Sequence, residues 1–540
     1  MVENSKAVAS CGEALVKLLE AYGVDTVFGI PGVHTLELYR GLPSSNVRHV
    51  LTRHEQGAGF MADGYARVSG KPGVAFVITG PGLTNISTAI GQAYSDSIPM
   101  LVISSVNETN TLGKGWGRLH ETKNQRAITE PLTAFSATAY RAEDIPDLIA
   151  RAFAVFNSER PRPVHLEIPM DVLASPVAYD WSNELRIARS RPQAEPKLIS
   201  AAADLLKASK RPVIIAGGGA LDAAESLLAI AEKLTAPVFT TVAGKGIVSP
   251  QHELHGGANL CMSPAWDYLE QADLVLAIGT ELADTDMWRD TLPIKGDIIR
   301  IDIDARKLND LYPAKIGILA DAMGAAHQLN QAIDSLETKP SVVADVANLK
   351  NDILQEQAEL QQKHLAVLAC VKNHLPAEGF IATDMTQISY TGNYGFESEG
   401  TRSWLHPTGF GTLGYGLPAG IGAKIAAPER AGLVLAGDGG FLYTLQELAT
   451  AVEEIHTPFV VLLWNNDSLG QIRDDMIAMD IPTVGVSPVN PNYTMLAKAF
   501  SCQTYKPQSL DELESCLEEA FKYMGVSFIE MHDSSVDIAQ

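Results

Sequence analysis

The 540-residue chain has only five cysteines, Cys11, Cys261, Cys370, Cys502 and Cys516, scattered and with no Cys-x-x-Cys pair. Neither a disulfide framework nor a tetrahedral zinc site follows from that spacing. Basic residues are scarce, with 41 Lys and Arg against 64 Asp and Glu, for a formal net charge of −23. This excess argues against a nucleic-acid partner or an anionic membrane surface. Long hydrophobic runs are missing too. The purest stretch, Phe459 to Trp464, is far too short to cross a bilayer. Glu3, Lys6 and Glu13 precede any sizeable apolar run, so no secretory signal is expected. Low-complexity tracts and coiled-coil heptads are also absent. What remains is a chain that is 46% hydrophobic and 19% charged, the balance of a large buried core. A cytoplasmic protein of three or four domains is the expectation.

An internal repeat organises the chain. Val74-Ala75-Phe76-Val77-Ile78 runs into Thr79-Gly80-Pro81-Gly82, a helical stretch, and Pro99-Met100-Leu101-Val102-Ile103. Val213-Ile214-Ile215 runs into Ala216-Gly217-Gly218-Gly219, a helical stretch, and Pro237-Val238-Phe239. Leu433-Val434-Leu435 runs into Ala436-Gly437-Asp438-Gly439-Gly440, a helical stretch, and Pro458-Phe459-Val460-Val461-Leu462. Apolar runs without alternation fit strands covered on both faces, and the intervening helix imposes a parallel crossover. The fold expected is α/β, with three doubly wound parallel-sheet domains near 1–172, 190–335 and 350–532. The proline- and arginine-bearing stretch 174–196, with Arg189 and Arg191, reads as one linker, and 335–341 as the second. A polar helix is expected over 348–363.

A glycine turn between a parallel strand and a helix bares backbone N–H groups at the positive helix end, where a phosphate can sit. A tight turn needs glycine anyway, so the first two turns are weak signals. The third is stronger. Asp438 stands in the turn, and the next strand ends in Trp464-Asn465-Asn466-Asp467. Carboxyl ends of adjacent strands lie side by side, so Asp438 and the two asparagines converge. A carboxylate, an amide oxygen, a turn carbonyl and diphosphate oxygens form the hard-oxygen shell that Mg²⁺ takes.

Gly437-Asp438-Gly439 followed by Asn465-Asn466 resembles the thiamine diphosphate-binding motif. Gly29-Ile30-Pro31-Gly32, Arg53-His54-Glu55-Gln56-Gly57-Ala58, Gly80-Pro81-Gly82-Leu83-Thr84-Asn85 and Gly411-Thr412-Leu413-Gly414-Tyr415-Gly416-Leu417-Pro418 resemble the same superfamily in the expected order. The whole chain looks closest to its acetolactate synthase and 2-oxoacid decarboxylase group, whose pyrimidine-binding, central and diphosphate-binding domains correspond to the three units.

The resemblance implies roles. Thiamine chemistry needs the thiazolium C2 proton removed by the cofactor's own aminopyrimidine, and a carboxylate in an apolar pocket drives this; Glu55, opening a helix expected over 55–68, takes that place. Leu413 takes the place of the apolar wedge under the bent cofactor. Asp438, Asn466 and the Ser468 carbonyl would hold Mg²⁺. Pro31, Gly32, Asn85, Gln387, Gly411, Gly437, Gly439, Gly440, Leu469 and Gly470 would approach the cofactor. In the family Glu55 and the diphosphate site come from different chains, which implies a homodimer or homotetramer. His34 and His120 face the cofactor by analogy, where protonation and product release need an acid and a base. Each has a plain structural alternative; His54 and His406 receive no chemistry.

Three departures bear on the substrate. Gly279-Thr280-Glu281-Leu282-Ala283-Asp284 lacks the Arg-Phe-Asp-Asp-Arg stretch that helps the synthases hold flavin, so FAD is in doubt. Gln471 and Asp475 replace the family's Met and Trp, opening the pocket. Asp474 and Asp475 then point to a substrate with a cationic tail, since a buried unpaired charge is costly, unless they merely line a solvated helix face. The 29–35 and 61–67 segments are similar to those of 5-guanidino-2-oxopentanoate decarboxylases. Decarboxylation of that 2-oxoacid is the expectation. Acetolactate synthase, another 2-oxoacid decarboxylase or lyase, and a non-catalytic nucleotide-binding protein are the alternatives.

Overall fold

The computed structural model describes residues 9–187, 190–333 and 341–537. Glu3 and Lys6, Arg189 of the first expected linker, and 335–340 of the second lie outside the described residues. Three sheets of six strands each are present, and their pairings are parallel. Gly73–Val77, Pro212–Ala216 and Gly432–Gly437 are buried at every position, as strands with helices on both faces must be. Among the described residues, no helix is long and apolar enough to cross a membrane.

Sheet order distinguishes the three. Numbered along the chain, the first sheet (Thr26–Gly29, Arg48–Leu51, Gly73–Val77, Met100–Val106, Phe135–Thr138, Val164–Pro169) runs 2-1-3-4-6-5. The third (Phe380–Thr383, Trp404–Leu405, Gly432–Gly437, Phe459–Asn465, Gln503–Tyr505, Val526–His532) runs 2-1-3-4-6-5 as well. The central sheet runs 6-5-4-1-2-3, the order of a dinucleotide-type fold. The local unit read from the sequence therefore recurs three times, whereas the sheet order recurs twice. In a 2-1-3-4 arrangement the winding reverses between strands 1 and 3, and a crevice opens at their carboxyl ends. The segments with Pro31, His34 and Gly80–Gly82 leave that edge of the first sheet. Those with Asp384–Gln387 and Gly437–Gly440 leave the same edge of the third.

The polar helix expected over 348–363 is two helices, Val343–Gln355 and Glu359–His374. Gln357 between them is buried; its Nε2 donates to Ile353 O at 2.6 Å and its Oε1 accepts from Tyr394 O–H at 2.6 Å. Satisfying that buried amide fixes the break.

The first and third domains dock through the helices after their second strands, Glu55–Ser69 and Gly416–Ala426. A Cβ on Gly64 would lie 2.0 Å from Ala419 O, and one on Gly422 1.9 Å from Met61 O, so only glycine lets the two backbones approach. Arg67 pairs with Asp63 and Asp96 of its own domain at 2.6 Å each and reaches across to His406 O at 3.3 Å, while Tyr415 donates across the junction to Asp63 at 2.6 Å. Buried charges are thus paired where the domains meet.

Candidate active site

The third domain builds an oxygen-rich turn. Asp438 follows the strand Gly432–Gly437 directly and is buried, which pushes its carboxyl above the usual range. Its Oδ2 accepts from Asn490 Nδ2 at 2.6 Å, and the same nitrogen lies 3.0 Å from Asp467 Oδ1 and 3.3 Å from Asn465 Oδ1. Asn466 donates to Gln387 Oε1 at 3.4 Å, and its Oδ1 accepts the Ser468 N–H at 3.2 Å. The buried Ser468 hydroxyl donates to Val486 O at 2.9 Å.

Bare backbone surrounds this turn. A Cβ on Gly437 would meet Thr386 Oγ1 at 2.6 Å, and one on Gly439 Leu469 Cδ2 at 2.6 Å. On Gly470 it would meet Gln387 Oε1 at 2.4 Å and Asn466 Nδ2 at 2.6 Å. Gly440 lies against Leu413, whose Cδ2 would be 3.4 Å from an added Cβ. Leu413 stands between Gly411 at φ +67° and Gly414 at φ +81°, two left-handed residues that hold its loop open. Asp384, buried at the end of the strand Phe380–Thr383, accepts the N–H groups of Met385 (2.8 Å), Gly414 (3.0 Å) and Gly416 (3.2 Å). Burial still pushes its carboxyl up to about 6.

The first domain presents different chemistry. Glu55 opens the helix Glu55–Ser69, one residue longer than expected, and its Oε2 accepts Asn85 Nδ2 at 2.9 Å. Gly82 lies beneath the carboxylate, where an added Cβ would be 3.4 Å from Oε1. Gly32, beside Pro31, packs on Ile78, whose Cδ1 would be 2.4 Å from an added Cβ. His34 is buried with its Nδ1 lacking a partner, and its ring meets that of His120 edge to face at 5.1 Å. Burial first, and the charge of His120 second, hold the His34 imidazole below its ordinary range, with Glu108 opposing. His120 takes φ +62°, and its carbonyl lies over Gly80, where a Cβ would come within 2.4 Å. Gln125 ties that loop down, accepting the Gly80 N–H at 2.7 Å and donating to Ser105 O at 2.8 Å.

Gln471, Asp474 and Asp475 lie on the helix Gly470–Ala478. Asp474 has partners in its own chain, Gln387 Nε2 at 2.9 Å and the Arg473 guanidinium at 3.0 Å. Asp475 is exposed, and one oxygen is held by Gln471 Nε2 at 3.0 Å. Neither acid is therefore a buried, unpaired charge in this chain, and the expectation of a cationic tail drawn from such a charge is not supported at either position. In the central domain, Gly218, Gly219 and Thr280 line a cleft of about 350 Å³ reaching the other two domains. Three amides of the glycine turn are already bonded within the domain: Gly217 on Ile278 O, Gly219 on Gly279 O and Ala220 on Gly217 O, each at 3.0 Å. Glu281, in the segment that lacks the Arg-Phe-Asp-Asp-Arg stretch, pairs with Arg160 and with Lys307.

Sequence reading missed Asp384, Asn490, Gln92, Asp96 and Glu447. Asp384 had a signal, a carboxylate at a buried strand's carboxyl end upstream of a glycine-rich loop. The others carry none, because the loop and turn groups they hold are more than twenty residues away in sequence. As a test of fit, Asp438 is a buried carboxylate whose side-chain partner is a neutral amide, beside the amide oxygen of Asn466 and a glycine turn. Such donors suit Mg²⁺ and a diphosphate.

Comparison with known proteins agrees with this geometry. Residues 9–128 match the thiamine pyrophosphate enzyme N-terminal TPP binding domain, 199–329 the central domain, and 384–531 the C-terminal TPP binding domain. The chain is 61% identical over 526 residues, 97% of itself and 94% of the relative, to the probable 2-ketoarginine decarboxylase AruI of Pseudomonas aeruginosa. It is 32% identical to the probable acetolactate synthase large subunit of Methanocaldococcus jannaschii, over 94% of this chain and 89% of that one. It is 30% identical to the acetolactate synthase isozyme 1 large subunit of Escherichia coli, over 96% and 92%. With three domain matches in order and relatives aligned along nearly its full length, the chain belongs to the thiamine pyrophosphate enzyme family.

Proposed function

We propose that the protein is a thiamine diphosphate- and Mg²⁺-dependent decarboxylase of 5-guanidino-2-oxopentanoate (2-ketoarginine), releasing CO₂ and 4-guanidinobutanal. The 61% identity to a relative named for that activity, over 97% of the chain, carries the reading. Bound thiamine diphosphate would supply the electron sink that the departing carboxylate needs. Asp438, Asn466 and the Ser468 carbonyl hold the metal, and the Gly437–Gly440 and Gly470 backbone receives the diphosphate. Leu413 props the cofactor, and Glu55, kept in place by Asn85, holds the proton on the aminopyrimidine. His34 and His120 deliver and remove protons at the reacting carbon.

Asp475 receives the guanidinium, with Gln471 fixing the carboxylate so that its second oxygen stays available. The site is assembled between two chains. Glu55 keeps its side-chain hydrogen bond inside the first domain, and large apolar side chains are exposed near both halves: Val33, Leu36 and Leu119 on one, Ile472, Ile477 and Met479 on the other. Such apolar exposure suits a face covered by a second copy. Acetolactate synthesis is the second reading, favoured by the 30–32% relatives.

CO₂ release with Mg²⁺ and thiamine diphosphate, on 5-guanidino-2-oxopentanoate and pyruvate in parallel, separates the two. Preference for the guanidino acid with aldehyde formed is expected. Preference for pyruvate with acetolactate accumulating overturns the decarboxylase reading.

A further inference from the structure

The first and third domains grip each other's loops in a reciprocal way. In the first domain, the helix after strand 3 is Pro81–Ser95. Its buried Gln92 accepts both the N–H (3.3 Å) and the hydroxyl (3.0 Å) of Thr412. Asp96, just past its end, accepts the N–H groups of Gly409 (2.7 Å) and Thr408 (3.2 Å). Phe410 closes on Gly91, where an added Cβ would lie 2.7 Å from Phe410 Cζ. The segment so held follows strand 2 of the third sheet and carries Leu413.

In the third domain, the helix Glu447–Glu454 comes after strand 3, beyond the short helix Asp438–Phe441. The buried Glu447 accepts the Arg53 N–H with both oxygens at 3.1 Å, and Thr450 donates to Leu51 O at 3.1 Å. The segment so held follows strand 2 of the first sheet and carries Glu55. The Gly57 backbone lies against Glu447, where a Cβ would be 2.3 Å from its Oε1. Each domain thus fixes the other's functional loop through buried acceptors that the loop's own sheet does not supply, and a buried N–H without its acceptor costs enough to shift a loop.

We propose that Gln92 with Asp96, and Glu447, are positioning residues that act across the domain boundary: Gln92 and Asp96 set the Leu413 wedge of the diphosphate half-site, and Glu447 sets Glu55. The inference rests on the proposed cofactor site. It adds that a residue's functional group is opposite to the domain in which it sits. Asn85 and Gln92 share one helix about 10 Å apart, seven residues at 1.5 Å each. If sites form between two chains, that helix serves two of them, Glu55 at one end and the wedge at the other.

The test has two parts. In homo-oligomers, Gln92→Met should weaken thiamine diphosphate binding about tenfold, read by fluorescence titration in Mg²⁺. Glu447→Met should leave that affinity within about twofold while lowering kcat about tenfold, with Glu447→Gln, which keeps one acceptor, recovering part of it. Should Gln92→Met fail to fold, Thr412→Val removes the hydroxyl bond to Gln92 from the other side, and Thr412→Ser should restore affinity. Reversed or equal effects on affinity overturn the proposal.

The second part uses mixed dimers from two differently tagged chains. Glu55→Gln paired with Asp438→Asn should keep half of wild-type activity, since both lesions fall in one shared site. Loss of all activity there overturns the shared-site reading, and the affinity split alone then decides the positioning roles. Given half activity, Gln92→Met should complement Glu55→Gln and fail with Asp438→Asn. Glu447→Met should do the converse. Each variant complementing according to its own domain overturns the proposal.

Discussion

The first and third sheets share one strand order and dock through equivalent helices, yet they present opposite chemistry at the same edge. The first offers titratable side chains: Glu55 on Asn85, and the His34–His120 ring pair. The third offers groups that hold charge still: glycine backbone, the Asp438 carboxylate and amide oxygens. Since the scaffold is the same, the difference lies in the few residues after each strand. The fold decides where a ligand can sit, and the loops decide what is done with it. The central sheet, wound in another order, makes neither contribution. Three amides of its glycine turn are already bonded to carbonyls of the same domain.

The sharpest way to break this comparison is to disable one group from each sheet. Glu55→Gln should lower kcat by roughly 10²–10⁴-fold, the range for a lost acid–base group, and leave thiamine diphosphate affinity nearly unchanged. Asp438→Asn should instead raise the Kd for thiamine diphosphate in Mg²⁺ by about 10–100-fold. Calorimetric titration beside single-turnover kinetics separates the two. If both variants lose affinity equally, the two sheets do not divide the work.

Next in size is Asp475→Asn. Removing a charged partner of a guanidinium should raise KM for 5-guanidino-2-oxopentanoate about tenfold or more, with little change for pyruvate. Equal changes for both substrates would detach Asp475 from recognition. Gly470→Ala sharpens the third-sheet half. Its Cβ would overlap Gln387 Oε1 at 2.4 Å and Asn466 Nδ2 at 2.6 Å, so the side chains around the Asp438 turn must move. Thiamine diphosphate affinity should fall several-fold, while the pH dependence of kcat, which the proposed roles put in the first domain, should stay as it was.

The sequence was most legible where function demanded odd residues in short spans. The three α/β units follow from unalternating apolar runs and glycine turns, and they stand as three all-parallel sheets. The convergence of Asp438 with Asn465 and Asn466 was readable because a carboxylate and two asparagines fell at the ends of two neighbouring strands. The order of strands was not readable, since edge strands as short as Trp404–Leu405 leave almost no apolar pattern. Nor was the pairing of Asp474 with Arg473, because a helical pattern alone does not say whether an acid meets its sequence neighbour or a ligand. Glu447 and Gln92 were invisible for a further reason. Each is a buried polar residue in an amphipathic helix, and its partner is a backbone N–H more than three hundred residues away. Only the docking of two domains reveals such acceptors.

The smallest expected effect probes the first-sheet half alone. His34 is buried with Nδ1 unpartnered, so adding a proton there gains no hydrogen bond and meets the charge of His120. Both factors lower its affinity for protons, so neutral His34 persists to lower pH than a free imidazole would. His120→Gln removes one of them and leaves burial in place. The His34 pKa should then rise toward, but not past, its ordinary value near 6.5. Whichever limb of the pH profile of kcat/KM His34 governs should move to higher pH in that variant, and His34→Gln should erase the limb altogether. A limb that stays fixed in His120→Gln would mean that the rings touch without sharing charge. A limb that survives His34→Gln would assign the titration to another group. Because the third sheet's His532 pairs with Asp467 at 3.1 Å and its buried His406 bonds Thr383 at 2.7 Å, the same scan on Asp438→Asn should leave the limb in place.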